Sequence, residues 1–310
     1  MNASRLAVFE KIGVVVLGLL SVAAGSTMGG VEPPAQIAVS PSRFELAVDD
    51  RPSTESVNLI NLSKRDVTVQ VTTSNWDLDE TNRIRLLAPT EQSLDQWMVI
   101  NPLRFTVPAG ETQTVRFSIR PRVRPEPGEH RAMIYFNQVL PEATEQRILR
   151  VRFNVGVAVY ALVGDPSRRG RLNAVSVDNE SNPVLTRFDV SSDGQAHVRL
   201  AGQYAVYPAA VYPGVEETVG LDRELREGRL PEHVLLAGYL PSRPVLPDTR
   251  RDVLLRLSRE LPPGDYVLDL NGEIAGELID RAVPFNVPDP SLLAEGSPEP
   301  RQESLNVDVE

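Results

Sequence analysis

Residues 147–163 read RILRVRFNVGVAVYALV, and the parity of this stretch decides the fold. Leu149, Val151, Phe153, Val155, Val157, Val159, Ala161 and Val163 share one parity, while Arg150, Arg152, Asn154 and Gly156 share the other. Such alternation marks a β-strand with one apolar face. At ~3.3 Å per residue, Arg147–Val163 predicts a strand longer than ~50 Å, about three times the usual length. One sandwich has little use for so long a strand in its own core. An edge strand of this kind can instead lend its apolar residues to the sheet of another protein.

Working outward, shorter strand patterns surround this one, separated by turn residues. Before it come Ile37–Leu46, Ser56–Leu62, Val67–Trp76, Arg83–Leu87, Met98–Val107, Thr112–Arg120 and His130–Val139, with one helical turn at Thr90–Met98. After Gly164-Asp165-Pro166 come Arg171–Asp178, Val184–Ser191, Ala196–Tyr207, Leu235–Leu240, Thr249–Leu257, Asp265–Gly272 and Ala282–Val287, with a short helix at Leu221–Leu230. Each half repeats an order of turn, strand, Pro-Gly turn and strand, once around Pro127-Gly128 and once around Pro263-Gly264. This spacing predicts an all-β chain of two tandem immunoglobulin-like sandwiches, over residues 36–163 and 165–288. Trp76 is expected to pack in the first sandwich.

The termini read differently. Arg5 and Lys11 precede an apolar run, Ile12–Ala24, followed by Gly25 and Ser26. The run is short for a membrane span, and it fits a cleavable export signal over residues 1–26. A soluble mature protein with no membrane span follows. The tail, residues 289–310, is rich in Pro, Glu and Ser and is expected to be disordered.

Composition narrows the function. The 310 residues include no cysteine, which excludes thiol chemistry and cysteine–zinc sites. Net charge is −10, or −11 once Arg5, Glu10 and Lys11 are removed, which argues against nucleic acid as a partner. His130, His197 and His233 are scattered without ligand spacing and read as structural or surface residues. Asp77, Asp79 and Glu80 read as a solvated turn, because a calcium loop needs a glycine and a terminal glutamate that are missing here. Phosphate loops and nucleophile elbows are also missing. The expectation is a protein that is not an enzyme and needs no cofactor or metal.

Several pieces then occur in a recognisable order: Val39–Arg43 (VSPSR), Glu55–Asn61 (ESVNLIN), Val99–Pro102 (VINP), Phe105–Phe117 (FTVPAGETQTVRF) and Glu129–Pro141 (EHRAMIYFNQVLP), leading into the long strand. Over about Ile37–Val163 the chain resembles the periplasmic pilus-assembly chaperones of the PapD-like family. The resemblance implies capture of pilin-like subunits that lack their last strand. The chaperone strand fills the subunit groove, and basic residues in the cleft between domains hold the subunit's terminal carboxylate. The subunit-binding residues it implies are Leu149, Val151, Phe153 and Val155 by strand parity, with Arg43 as the carboxylate anchor. The family's second anchor is a lysine, and the matching position falls near Ala158, so the chain departs from the pattern there. Pilin-like subunits are the implied partners, an outer-membrane usher is a further candidate, and the periplasm is the implied location. The alternative is an exported two-domain binding or structural module of a surface assembly. Aspartate at Val151 and Phe153 together is expected to block capture without unfolding the chain.

Overall fold

The computed structural model describes residues 35–48, 54–140, 152–179, 181, 183–218 and 220–289. The export signal, Leu149, Val151 and the tail from residue 290 lie outside the described residues. The chain divides into two compact units, Met1–Ser167 and Arg168–Glu310.

The described strands of the first unit are β1 (Ile37–Ser40), β2 (Arg43–Val48), β3 (Thr54–Asn61), β4 (Val67–Leu78), β5 (Ile84–Leu87), β6 (Met98–Asn101), β7 (Arg104–Val107), β8 (Thr112–Ile119), β9 (Gly128–Val139) and β10 (Asn154–Val163). One sheet runs β1-β3-β8-β6. The other runs β2-β10-β9-β4-β5, with β7 also on β4. This is the immunoglobulin-like arrangement. Alternate residues of both sheets fill the space between them, among them Val57, Leu59, Val69, Phe117, Ile134, Phe136, Val157 and Val159, all buried.

Two expected strands are each broken in two, and proline is the cause in both. Ile37–Leu46 splits at Pro41-Ser42: β1 pairs antiparallel with β3, whereas β2 runs parallel to β10 in the opposite sheet. Met98–Val107 splits at Pro102, with β6 on β8 and β7 on β4. Proline has no N–H for a ladder, so the chain can change sheets there at little cost.

Among the described residues, the long strand stops short of Arg152 and Phe153. Its ladder starts at Asn154, and Arg152 and Phe153 lie outside any strand. The side chain of Gln138 intervenes. Its Oε1 accepts from Phe153 N at 3.3 Å, while Gln138 N donates to Phe153 O at 3.1 Å. A side chain thus takes the place of a main-chain acceptor, and regular pairing ends.

Trp76 is buried in the first unit, as expected, but not between its two sheets. It lies on the opposite face of β4 from Val67, Val69 and Val71, edge-on to Tyr160 with ring centroids 5.8 Å apart. Trp97 fills the core instead, with its indole N–H donating to Glu91 O at 2.8 Å. The expected helical turn shrinks to Leu94–Gln96. Beside it, His130 places its two ring nitrogens 2.8 Å from Gln92 O and Glu126 O, a structural bridge between loops. Asp79 closes the acidic turn by accepting from Thr81 and Arg83, whose N–H chiefly holds its carboxyl below the usual range.

The second unit contains β11 (Gly170–Asp178), β12 (Leu185–Ser192), β13 (Leu200–Pro208), β14 (Leu236–Tyr239), β15 (Thr249–Arg256), β16 (Gly264–Ile274) and β17 (Glu277–Val287), in sheets β11-β12-β15 and β14-β13-β16-β17. Phe188, Leu200, Val206, Val253, Leu268 and Leu270 are central to its core. The connection from β13 to β14 carries a short α-helix, α1 (Asp222–Glu227), ended by Gly228 in the left-handed conformation (φ 67°). Tyr212 in that connection donates to buried Asp269 at 2.8 Å, and burial raises the Asp269 carboxyl above its ordinary range.

Candidate functional site

Of the residues expected to bind a subunit, the structure describes Phe153 and Val155, at the start of β10, and Arg43, on β2. On one side β10 pairs with β9 along its whole length, from Asn154↔Asn137 to Val163↔Gly128. On the other it pairs with β2 only from Ala158↔Arg43 onward. Residues 154–157 therefore have a neighbour on one side only, among the described residues. Strand alternation determines what faces the open side. Phe153 O points to β9, as the bond from Gln138 shows, so the main-chain groups of Val155 and Val157 point there too. Those of Asn154 and Gly156 point the other way, as Ala158 N does toward Ser42 O at 3.4 Å. An exposed pair of donors and acceptors at a sheet edge is a template for an added strand.

The side chains divide by the same parity. Phe153 is 8% exposed and belongs to the first unit's core, and half-buried Val155 packs against that core. In the free chain both therefore face their own sandwich. On the outer face, a Cβ at Gly156 would lie 2.9 Å from Met133 Sδ and 3.2 Å from Tyr135. A side chain there would require Met133 and Tyr135 to shift.

Arg43 opens β2 directly opposite Ala158, the position that resemblance marks for the missing lysine. Its side chain is 43% exposed, and its Nε lies 3.6 Å from Glu45 Oε1. Further across the same face, Arg131 pairs with Glu129 at 3.2 Å, its guanidinium 5.9 Å from the Trp76 ring centre. Sequence reasoning missed Glu45, Met133, Tyr135 and Arg131. A clue to the covered face was present: β9 reads Ala132-Met133-Ile134-Tyr135-Phe136, apolar at both parities, as in a strand covered on both sides.

No family model matches the chain, and neither does any curated protein. Among solved structures it is similar to a chaperone–tip adhesin complex of CFA/I fimbriae biogenesis, at 14% identity and a TM-score of 0.40 over 82% of this chain and 99% of that one. It is also similar to the CsuC–CsuE chaperone–tip adhesion subunit complex from the Csu pili of Acinetobacter baumannii, at 12% identity and a TM-score of 0.38 over 80% and 97%. A third is the complex of Salmonella enterica SafA pilin with the SafB chaperone, at 11% identity and a TM-score of 0.35 over 81% and 95%. Likeness at this level assigns neither a partner nor an activity to this chain. Among the described residues, no helix is long and apolar enough to cross a membrane.

Proposed function

We propose that this chain is a periplasmic, non-enzymatic chaperone that captures pilin-like subunits by strand donation from residues 149–155 and the open edge beside them. The observation that carries the reading is the one-sided pairing of Asn154–Val157. A client strand added there would gain main-chain hydrogen bonds that do not depend on its sequence. Alternate apolar residues of the donor would then enter the client's groove, each contributing about 1.5–3 kcal/mol when fully buried, before ordering costs. Leu149 and Val151 are the first residues proposed to enter it. Phe153 and Val155 continue the same row where the donated segment joins the chaperone's own core. Arg43 is proposed to hold the client's terminal carboxylate, since a guanidinium grips a carboxylate with two parallel bonds. Export by cleavage of residues 1–26 and delivery to an outer-membrane usher complete the proposal. A structural module would gain nothing from an edge left open, which favours the chaperone over that alternative.

The test is a co-expression assay with a candidate pilin-like subunit, comparing wild type with Leu149→Asp/Val151→Asp. The double variant is expected to leave its client aggregated and protease-sensitive while unfolding like wild type. Undiminished protection would overturn strand donation.

A further inference from the structure

The cation proposed to hold a client's carboxylate already has a carboxylate beside it. Arg43 and Glu45 are two residues apart on β2 and share the outer face of the sheet. At 3.6 Å their contact is an attraction between charges and not a hydrogen bond. Arg43 makes no hydrogen bond among the described residues, so its donors remain unspent. No second cation stands beside it on β10, where Ala158 is its partner. Arg131, on the same face, is held at 3.2 Å by Glu129, whose side chain is wholly buried. Turning Arg131 away would take one cation from a buried carboxylate, which is costly. Of these two pairs, that of Arg43 is the longer and the more exposed.

We propose that Glu45 is a specificity-determining residue, a built-in competitor that weakens the grip of Arg43 on carboxylates. The inference rests on the reading that Arg43 is the anchor. A carboxylate bound through both arms of the guanidinium outcompetes a single contact at 3.6 Å. A carboxylate that merely drifts past, without a strand aligned on β10, does not. Glu45 therefore makes anchoring conditional on strand pairing.

The experiment uses the full chain and two probes. One is a short peptide of alternating valine and serine, prepared with a free C-terminal carboxylate and as the carboxamide. Glu45→Gln is expected to bind the acid about threefold tighter, as befits a partly exposed ion pair, and the amide unchanged. The gain is expected to vanish in an Arg43→Ala background. A gain shared by both peptides, or one that survives without Arg43, overturns the role of Glu45. The second probe is acetate, followed through the Arg43 Nε–H resonance, which needs no strand pairing. A lower acetate midpoint in Glu45→Gln supports the inference, and equal midpoints overturn it. If Arg43→Ala does not alter the preference for acid over amide, the anchoring itself fails and the competitor role with it. Loss of the preference in Arg43→Ala, with equal acetate midpoints, overturns the role of Glu45 alone.

Discussion

The last long strands of the two units, β10 and β17, treat their open edges in opposite ways. β17 ends its sheet, paired with β16 through a hairpin that closes at Ile274↔Glu277 around Ala275 and Gly276, both at positive φ. Alternation from that closing pair directs the main-chain groups of Leu278, Asp280, Ala282, Pro284 and Asn286 outward. Pro284 has no N–H to offer, and Asp280 adds charge, two standard ways of keeping another strand off an edge. The corresponding outward positions of β10 are Asn154 and Gly156, which carry neither device. Of these two strands, β10 leaves its outward positions unprotected and β17 does not.

The largest effect is expected where β10 serves its own core. Phe153→Ala should lower unfolding free energy by about 3–5 kcal/mol, read from a urea transition, because the ring is buried among core residues. Aspartate there would be worse, so the pair Val151→Asp/Phe153→Asp, expected from parity to spare the fold, is corrected: it would unfold the donor as well as block it. Next is a variant that gives β10 the protection of β17. Asn154→Pro removes an outward N–H without touching the β9 ladder, and it should weaken client capture at least ~10-fold while shifting stability by less than ~1 kcal/mol. A protease-protection assay beside a thermal melt separates the two. Ala158→Lys sets a second cation opposite Arg43 and should tighten free-acid peptides by about fivefold, with amidated peptides unaffected. The smallest effect is the reverse exchange. Pro284→Thr unblocks one position of β17 and should produce weak, concentration-dependent self-association in sedimentation, with the melt almost unchanged.

The strands themselves were legible because period-2 alternation and turn residues are local features. Two kinds of information were not local. One is sheet membership: Pro41 and Pro102 could be read as interruptions, yet which sheet each half joins depends on partners far along the chain. The other is register. Nothing in Arg147–Val163 says that β2 covers β10 only from Ala158 onward, because that follows from where β2 begins after Pro41. Burial of Trp76 was legible from its size, and the face it takes from its parity relative to Val67–Val71. Arg43 and the departure at Ala158 could be named by resemblance, and the two prove to be direct partners across strands. Glu45 drew no notice because a charge two residues away on an exposed strand face is commonplace, and only the partner strand gives it meaning.

On the strand-addition proposal, the main-chain groups of Asn154 and Gly156 are the docking template. Amide hydrogen exchange, resolved by residue in the free chain and with a bound client strand, tests it most directly. In the free chain, Val155 and Val157 should be protected by β9 while Asn154 and Gly156 exchange fast. Binding should slow Asn154 and Gly156 by more than ~10-fold and leave Val155 and Val157 as they were. A client that binds without slowing exchange at Asn154 and Gly156 would contradict strand addition at this edge.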